Sequence, residues 1–269
     1  MGICAFCGED KKLTREHNYA NWMKPYLPKK QNFSGHHILE IDRTNGSEVR
    51  TPSHGKLNRP GDPHSQRLKI LCDHCNNVRL GNLQDLAKPD LLPLIQGHWS
   101  LKHGQHGRLA AWVVMTVLVA DYANGQMSAF APSVRKEFLN TLSPPDNWVI
   151  WLGRYDGSDS GLTNQVAWAA EPEINMPQRH KADSTIFSRT IGQLMVIAIA
   201  GDWVFPIVKN VEKLKEYEEL FGLVRILPTA QGDIMPVKVY SDDWELPLRP
   251  IYEALQIEFH SVRRVVRRY

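Results

Sequence analysis

Two short stretches decide the fold of the first part of the chain: Leu71-Cys72-Asp73-His74-Cys75-Asn76-Asn77 and the earlier pair Cys4-x2-Cys7. In each pair two residues separate the cysteines, and this spacing lets both thiolates turn toward one ion. Two such pairs complete a tetrahedral site for Zn2+ with bonds of about 2.3 Å. We therefore predict that a structural zinc ion is held by Cys4, Cys7, Cys72 and Cys75.

Composition favours metal over disulfides. The chain has 269 residues and four cysteines, all at or before position 75. It has no secretory signal pattern at its start, and its longest nearly apolar run, Leu109 to Ala120, is shorter than the about 20 residues of a membrane span. We expect a cytoplasmic protein that does not cross a membrane, in which cysteines bind metal. Two redox or disulfide pairs are the alternative.

Groups suited to chemistry lie beside the cysteine pairs. Glu16 and His17 follow the first pair, and Asn76 follows Cys75 directly. A hard divalent cation such as Mg2+ or Mn2+ prefers oxygen ligands, which the Glu16 carboxylate and the Asn76 carbonyl could supply. Neutral His17 could then take a proton from an attacking water. Consecutive residues of a regular strand point to opposite faces, so Glu16 and His17 can share a site only at a strand end or bend.

These residues carry a family resemblance. Cys4-x2-Cys7, Leu13-Thr14-Arg15-Glu16-His17 and Cys72-x2-Cys75-Asn76 resemble the HNH endonucleases, the ββα-metal nucleases, and their zinc-binding members in particular. The resemblance implies that Glu16 and Asn76 bind the catalytic metal, that His17 is the general base, and that the products carry a 5′-phosphate. It is specific over residues 3–87 and looser around Leu91 to Ile95 and Leu109 to Trp112.

The resemblance leaves some positions open. No residue fits the middle Asn of the HNH pattern cleanly; Asn45 and Asn58 are candidates, and His64 could take a neighbouring role. Asn77 is the rival of Asn76, since the phase of the following helix is uncertain. His74 lies inside the second pair and is expected at the surface.

The fold class predicted from the periodicity is α+β. We expect an HNH domain over 1–100, a linker over 101–107 and an α+β domain over 108–269. Asn45-Gly46 predicts a hairpin within 33–50, and Leu109 to Asn124 predicts a buried helix. Ser133 is expected to cap a helix, and Ile251 to Val266 is expected to be helical. The second domain could recognise substrate, form a homo-oligomer or bind a regulator.

Charge indicates a polyanionic partner. Residues 1–107 carry 15 basic and 10 acidic side chains, against 17 and 19 in residues 108–269. Such an excess positions a phosphate backbone without reading sequence, so we expect DNA, with RNA as an alternative. An ordinary solvated surface, or a helix end favoured by its dipole, also accounts for basic residues. The predicted nucleic-acid contacts are Arg15, Lys69, Arg79, Arg263 and Arg267.

Together these observations favour a metal-dependent endonuclease that hydrolyses phosphodiester bonds in DNA. The alternative is a non-catalytic zinc-containing module that binds DNA or protein, in which Glu16 and His17 stand together by chance.

Overall fold

A computed structural model of the chain describes most of the first 156 residues and selected parts of the rest. The described residues are 1–17, 19–27, 36–42, 47–52, 67–123, 128–156, 163–169, 184–201, 211–228, 239–240, 246–248, 250–251 and 261–267. Helices and strands are mixed along the chain, which confirms the α+β class. No helix within these ranges is long and apolar enough to cross a membrane.

The N-terminal unit consists of short strands followed by a helix. Strand β1 (Gly2–Ile3) pairs with β2 (Asp10–Lys11), and the turn between them carries the first cysteine pair. Strand β3 (Leu13–His17) pairs antiparallel with the later strand Arg67–Cys72. The chain then makes a π-helical turn over His74–Leu80 and enters helix α1 (Gly81–Ile95).

The second part of the fold is a nine-stranded sheet. Strand β6 (Arg67–Cys72), which pairs with β3, lies outside this sheet. The strands of the sheet are β4 (His36–Asp42), β5 (Ser47–Pro52), β7 (Trp148–Tyr155), β8 (Thr163–Ala169), β9 (Ser184–Ile191), β10 (Leu194–Gly201), β11 (Val224–Leu227), β12 (Val239–Tyr240) and β13 (Ser261–Arg267). The order is β11-β7-β10-β9-β8-β13-β4-β5, and β12 pairs with β7 in parallel. The β4–β5 hairpin confirms the hairpin predicted for this region, although residues 43–46, with the Asn45-Gly46 turn, lie outside the described residues.

The sheet takes strands from both ends of the chain. Strand β13 lies between β4 and β8 and pairs antiparallel with each. Residues 36–52 therefore belong to the same sheet as residues 148–267, although the predicted boundary at 101–107 assigned them to different domains. The division into domains stays a prediction.

The predicted C-terminal helix is wrong over its last part, although Ile251 at its start is helical. Residues Ser261–Arg267 form β13 rather than the end of a helix over 251–266. A position between two strands lets the backbone donate and accept hydrogen bonds on both sides, and Val262, Val265 and Val266 are β-branched residues that suit a strand. A strand repeats every two residues and has no helix dipole, so the alternative that Arg263 and Arg267 belong to a basic helix end does not hold.

Helices complete the core. Helix α2 (His106–Ala123) is buried over nearly its whole length, as predicted, because it packs against α1 and against the sheet. Helices α3 (Pro132–Thr141) and α4 (Val211–Phe221) follow, and short 3-10 turns lie at Asn21–Tyr26, His103–Gln105 and Leu246–Leu248. The predicted cap at Ser133 is wrong: Ala131 precedes the helix and Pro132 begins it, since proline favours the first helical position.

One close contact ties α1 to the sheet. Gly192 lies in the β9–β10 turn with a φ of +53°, and a Cβ there would stand 2.5 Å from the carbonyl oxygen of Ile95. The next residue, Gln193, donates its backbone N–H to the same oxygen at 2.8 Å. Only glycine combines this φ with this approach. The C-terminus of α1 is therefore held against the sheet.

Candidate metal centre and catalytic cavity

The four cysteines converge on one point. Their Sγ atoms all lie within 4.8 Å of one another, and the Sγ atoms of Cys7 and Cys72 are 3.9 Å apart. A tetrahedron with Zn–S bonds of about 2.3 Å has sulfur–sulfur edges of about 3.8 Å. The separation is far longer than a disulfide bond of about 2.05 Å, and all four thiols are free. The cluster is therefore placed to hold a zinc-like ion.

Backbone N–H groups favour the charged thiolate form of Cys4. Burial raises the pKa of the Cys4 thiol, but N–H groups of Cys72, Cys7 and Phe6 outweigh it and bring that pKa to about 7. The Cys72 N–H donates to the Cys4 sulfur at 3.3 Å. Burial also raises the pKa of the Cys75 thiol. Neutral thiols here would leave buried polar atoms poorly paired, whereas a divalent metal would stabilise all four as thiolates.

Glu16 and His17 meet at a cavity because they end a strand. Glu16 is opposite Leu68 in the β3–β6 ladder, and His17, the last residue of β3, is opposite Arg67. Both side chains line one cavity of about 320 Å³, its open mouth included. The remaining lining residues are Tyr19, Ala20, Met23, Gln84, Trp112, Met115, Thr116, Val119 and Arg189.

The cavity alters both titratable groups. Glu16 is only 9% exposed, and burial raises its pKa to about 7 because the charged carboxylate loses water. Burial lowers the pKa of His17, and the positive charges of Arg67 and Lys24 lower it further. His17 is therefore neutral at neutral pH. Among the residues that the structure describes, its buried Nε2 atom has no hydrogen-bond partner.

Asn76 contacts β3, the strand that carries Glu16 and His17, at Thr14. Its Nδ2 atom donates to Thr14 Oγ1 at 2.9 Å, and Thr14 Oγ1 donates to the Leu71 carbonyl at 2.9 Å. Thr14 precedes Glu16 by two residues on β3, and the register of the β3–β6 ladder shifts between Thr14 and Arg15. Asn76 itself does not line the cavity of Glu16 and His17. Its contact turns the other end of the amide, Oδ1, away from Thr14.

Asn77, the rival of Asn76, and His74 both lie at the surface, as predicted for His74. Asn77 is exposed, and its Nδ2 atom donates to Asp73 Oδ1 at 2.7 Å. His74 is exposed, at a position between the two cysteines of the second pair. The two candidates for the middle Asn, Asn45 and Asn58, and His64, the candidate for a neighbouring role, all lie outside the described residues.

Arg15 and Lys69 face each other across the β3–β6 ladder. Both side chains are exposed, and the register places them directly opposite one another. The pair His17 and Arg67 lies two residues further along β3, on the same face. Like charges directly opposed across a ladder are destabilising by themselves, and an anion bound between them relieves this. A cationic face therefore leads along β3 to His17.

The other predicted nucleic-acid contacts lie elsewhere. The Arg79 guanidinium donates to the carbonyl oxygens of Leu139 and Asn140 at the end of α3, at 2.7 to 3.3 Å. It therefore holds α3, and its contact with DNA stays a prediction. In β13, Arg263 is in register with Glu40 of β4, and Arg267 with Thr163 of β8.

Sequence reasoning missed four polar residues of the cavity, namely Tyr19, Gln84, Thr116 and Arg189. They come from the segment after β3, from α1, from α2 and from β9. No local spacing joins positions so far apart in the chain. The one available signal was Tyr19, which follows the predicted general base by two residues.

No family model, no curated protein and no solved structure matches this chain.

Proposed function

We propose that this chain is a metal-dependent endonuclease of the HNH type, which hydrolyses phosphodiester bonds in DNA. The observation that carries the proposal is the meeting, at the end of β3, of Glu16 and of His17, whose buried Nε2 has no partner within the described ranges. That strand pairs antiparallel with β6, and a helix follows β6. The order strand, strand, helix supports the ββα-metal layout, and the four-cysteine cluster would fix it through structural zinc.

Glu16 would hold the catalytic cation together with Asn76. The Asn76 amide donates through Nδ2 to Thr14, so its Oδ1 oxygen is the end that suits a hard cation. Burial disfavours a bare charge on Glu16, and a cation would favour the carboxylate form. When bound, Mg2+ or Mn2+ stabilises the charge that develops on the phosphate and the leaving oxygen.

His17 would act as general base. Its pKa is lowered, so its imidazole is neutral near pH 7, and Nε2 can accept a proton from a water that attacks phosphorus. The water oxygen forms the new P–O bond as the P–O3′ bond breaks, which leaves the 5′-phosphate that the resemblance implies. Solvent returns a proton to the leaving oxygen.

The cationic face of Arg15 and Lys69 would bind the sugar–phosphate backbone. Contacts of this kind orient a strand without reading bases, which predicts weak sequence preference and binding that weakens steeply with salt. They do not distinguish DNA from RNA, so both polymers belong in the assay.

The decisive experiment is plasmid nicking with Mg2+ or Mn2+. We expect wild type to nick, and His17→Ala to lose at least about 100-fold in rate, because a general base contributes roughly that much. The matched control is His98→Ala, which removes an exposed histidine outside the cavity and should cut normally. Equal rates for His17→Ala and wild type would refute the assignment.

A binding measurement separates the enzyme from a zinc-containing binding module. Arg15→Gln/Lys69→Gln should weaken DNA binding and reduce the slope of log affinity against log salt by about 2. Lys102→Gln, an exposed lysine on another segment, is the control. Salt-dependent DNA binding by a wild type that never nicks under any divalent metal would favour the binding module.

A further inference from the structure

Tyr19, two residues after His17, is hydrogen-bonded to the large sheet. Tyr19 is 1% exposed, and its hydroxyl oxygen lies 2.9 Å from Thr163 Oγ1 of β8, at hydrogen-bond distance. Tyr19 follows the proposed general base by two residues, a tether of at most about 7 Å. A buried hydrogen bond from the sheet thus lies next to the catalytic strand.

Arg189 holds the same tyrosine from a second side. Its guanidinium lies over the Tyr19 ring, 4.4 Å from the ring centre, and its Nε–H donates to Thr163 Oγ1 at 3.2 Å. Arg189 and Thr163 are directly opposite each other in the β8–β9 ladder, so their side chains leave the sheet on the same face. The Thr163 hydroxyl can serve both partners because it offers one donor and two acceptor sites.

We propose that Tyr19 is a positioning residue for His17, and that Thr163 and Arg189 act through it as a clamp from the sheet. The inference rests on the proposed function, in which His17 is the general base. Tyr19 and Arg189 line the same cavity as His17, so the clamp borders the reacting space. Ring and hydroxyl are both held, which limits the rotation of the chain that carries the imidazole. General-base catalysis depends on such fixed geometry.

The first arm of the test is nicking kinetics. Tyr19→Phe removes the hydroxyl and keeps the ring under Arg189; we expect kcat to fall roughly 10-fold with KM unchanged. His17→Ala/Tyr19→Phe should be no slower than His17→Ala alone, because the clamp acts only through His17. The matched control is Tyr217→Phe, which loses a tyrosine hydrogen bond to the Pro247 carbonyl, away from the cavity. Losses that multiply in the double variant would overturn the proposal.

The second arm does not need nuclease activity. The imidazole resonance of His17, assigned by its absence in His17→Ala, should shift or broaden at fixed pH in Tyr19→Phe and stay unchanged in Tyr217→Phe. Should Tyr19→Phe fail to fold, Thr163→Val removes the same hydrogen bond from the sheet side and is read in the same way. An unchanged His17 resonance in the folded clamp variant rejects the clamp, whether or not wild type cuts DNA. A shifted resonance with no cutting by wild type retains the clamp and rejects the nuclease.

Discussion

The four-cysteine cluster and the cavity of Glu16 and His17 both involve the N-terminal unit but are built in opposite ways. The cluster takes four sulfurs from two short motifs, each of which forms its own turn. Hydrogen bonds from Cys72 N–H to Cys4 Sγ and from Ala5 N–H to the Ile70 carbonyl join the two motifs. The cavity gathers side chains from β3, two helices and β9, between Glu16 and Arg189. A metal site can therefore be predicted from local motifs, whereas a cavity of this kind depends on how distant segments of the chain pack.

The largest expected effect breaks the cluster. Cys72→Ala should abolish stoichiometric zinc binding and unfold the N-terminal unit, since a structural zinc contributes on the order of 10 kcal/mol to folding. Metal content by mass spectrometry and circular dichroism would measure this. His74→Ala, an exposed position between Cys72 and Cys75, is the control and should keep its zinc. One zinc per chain in Cys72→Ala would contradict a four-thiolate site.

A second prediction concerns the buried carboxyl of the cavity. Burial raises the Glu16 pKa from 4.5 to about 7, so the folded state binds its proton more tightly than the unfolded state does. The stability that this adds is complete below about pH 4.5 and is lost as pH rises through about 7. Glu16→Gln stays neutral, so its stability relative to wild type should rise between pH 5 and pH 8, by up to roughly 3 kcal/mol.

Urea unfolding of both proteins without divalent metal measures that difference. The lowered pKa of His17 affects stability in the opposite direction, because its contribution to the free energy of unfolding is lost as pH falls. His17 is present in both proteins, so this contribution cancels when their stabilities are compared. A constant difference between the two proteins across this range would mean that Glu16 is hydrated. Mg2+ should reduce the pH dependence of wild type alone if Glu16 is a ligand.

The smallest expected effect concerns Asn76, which lies next to the cluster residue Cys75 and is proposed to bind the catalytic cation with Glu16. Asn76→Ala should weaken activation by Mg2+ or Mn2+ roughly 10-fold without loss of zinc, whereas Asn77→Ala, whose side chain is tied to Asp73, should titrate like wild type. Nicking rates over a series of metal concentrations give both values. The reverse ranking would transfer the ligand role to Asn77.

Periodicity in the sequence predicted most of the described elements. The β4–β5 hairpin and α2 fall where the sequence pattern places them. It failed for β13, because SVRR in residues 261–264 reads equally well as either element until its neighbours are known. The prediction of Ser133 as the cap of α3 was wrong because Pro132 occupies the first helical position, which proline favours, so the cap is Ala131.

By itself, the sequence determined the two cysteine pairs and the adjacency of Glu16 and His17, because each depends on a spacing of two residues or fewer. Only the tertiary structure decided that both side chains open onto one cavity, that Asn76 contacts Thr14, and that Arg189 of the sheet lies over Tyr19. The physical reason is that these contacts join segments far apart in the chain. Their distances are set by strand register and helix packing, which no short window of sequence specifies.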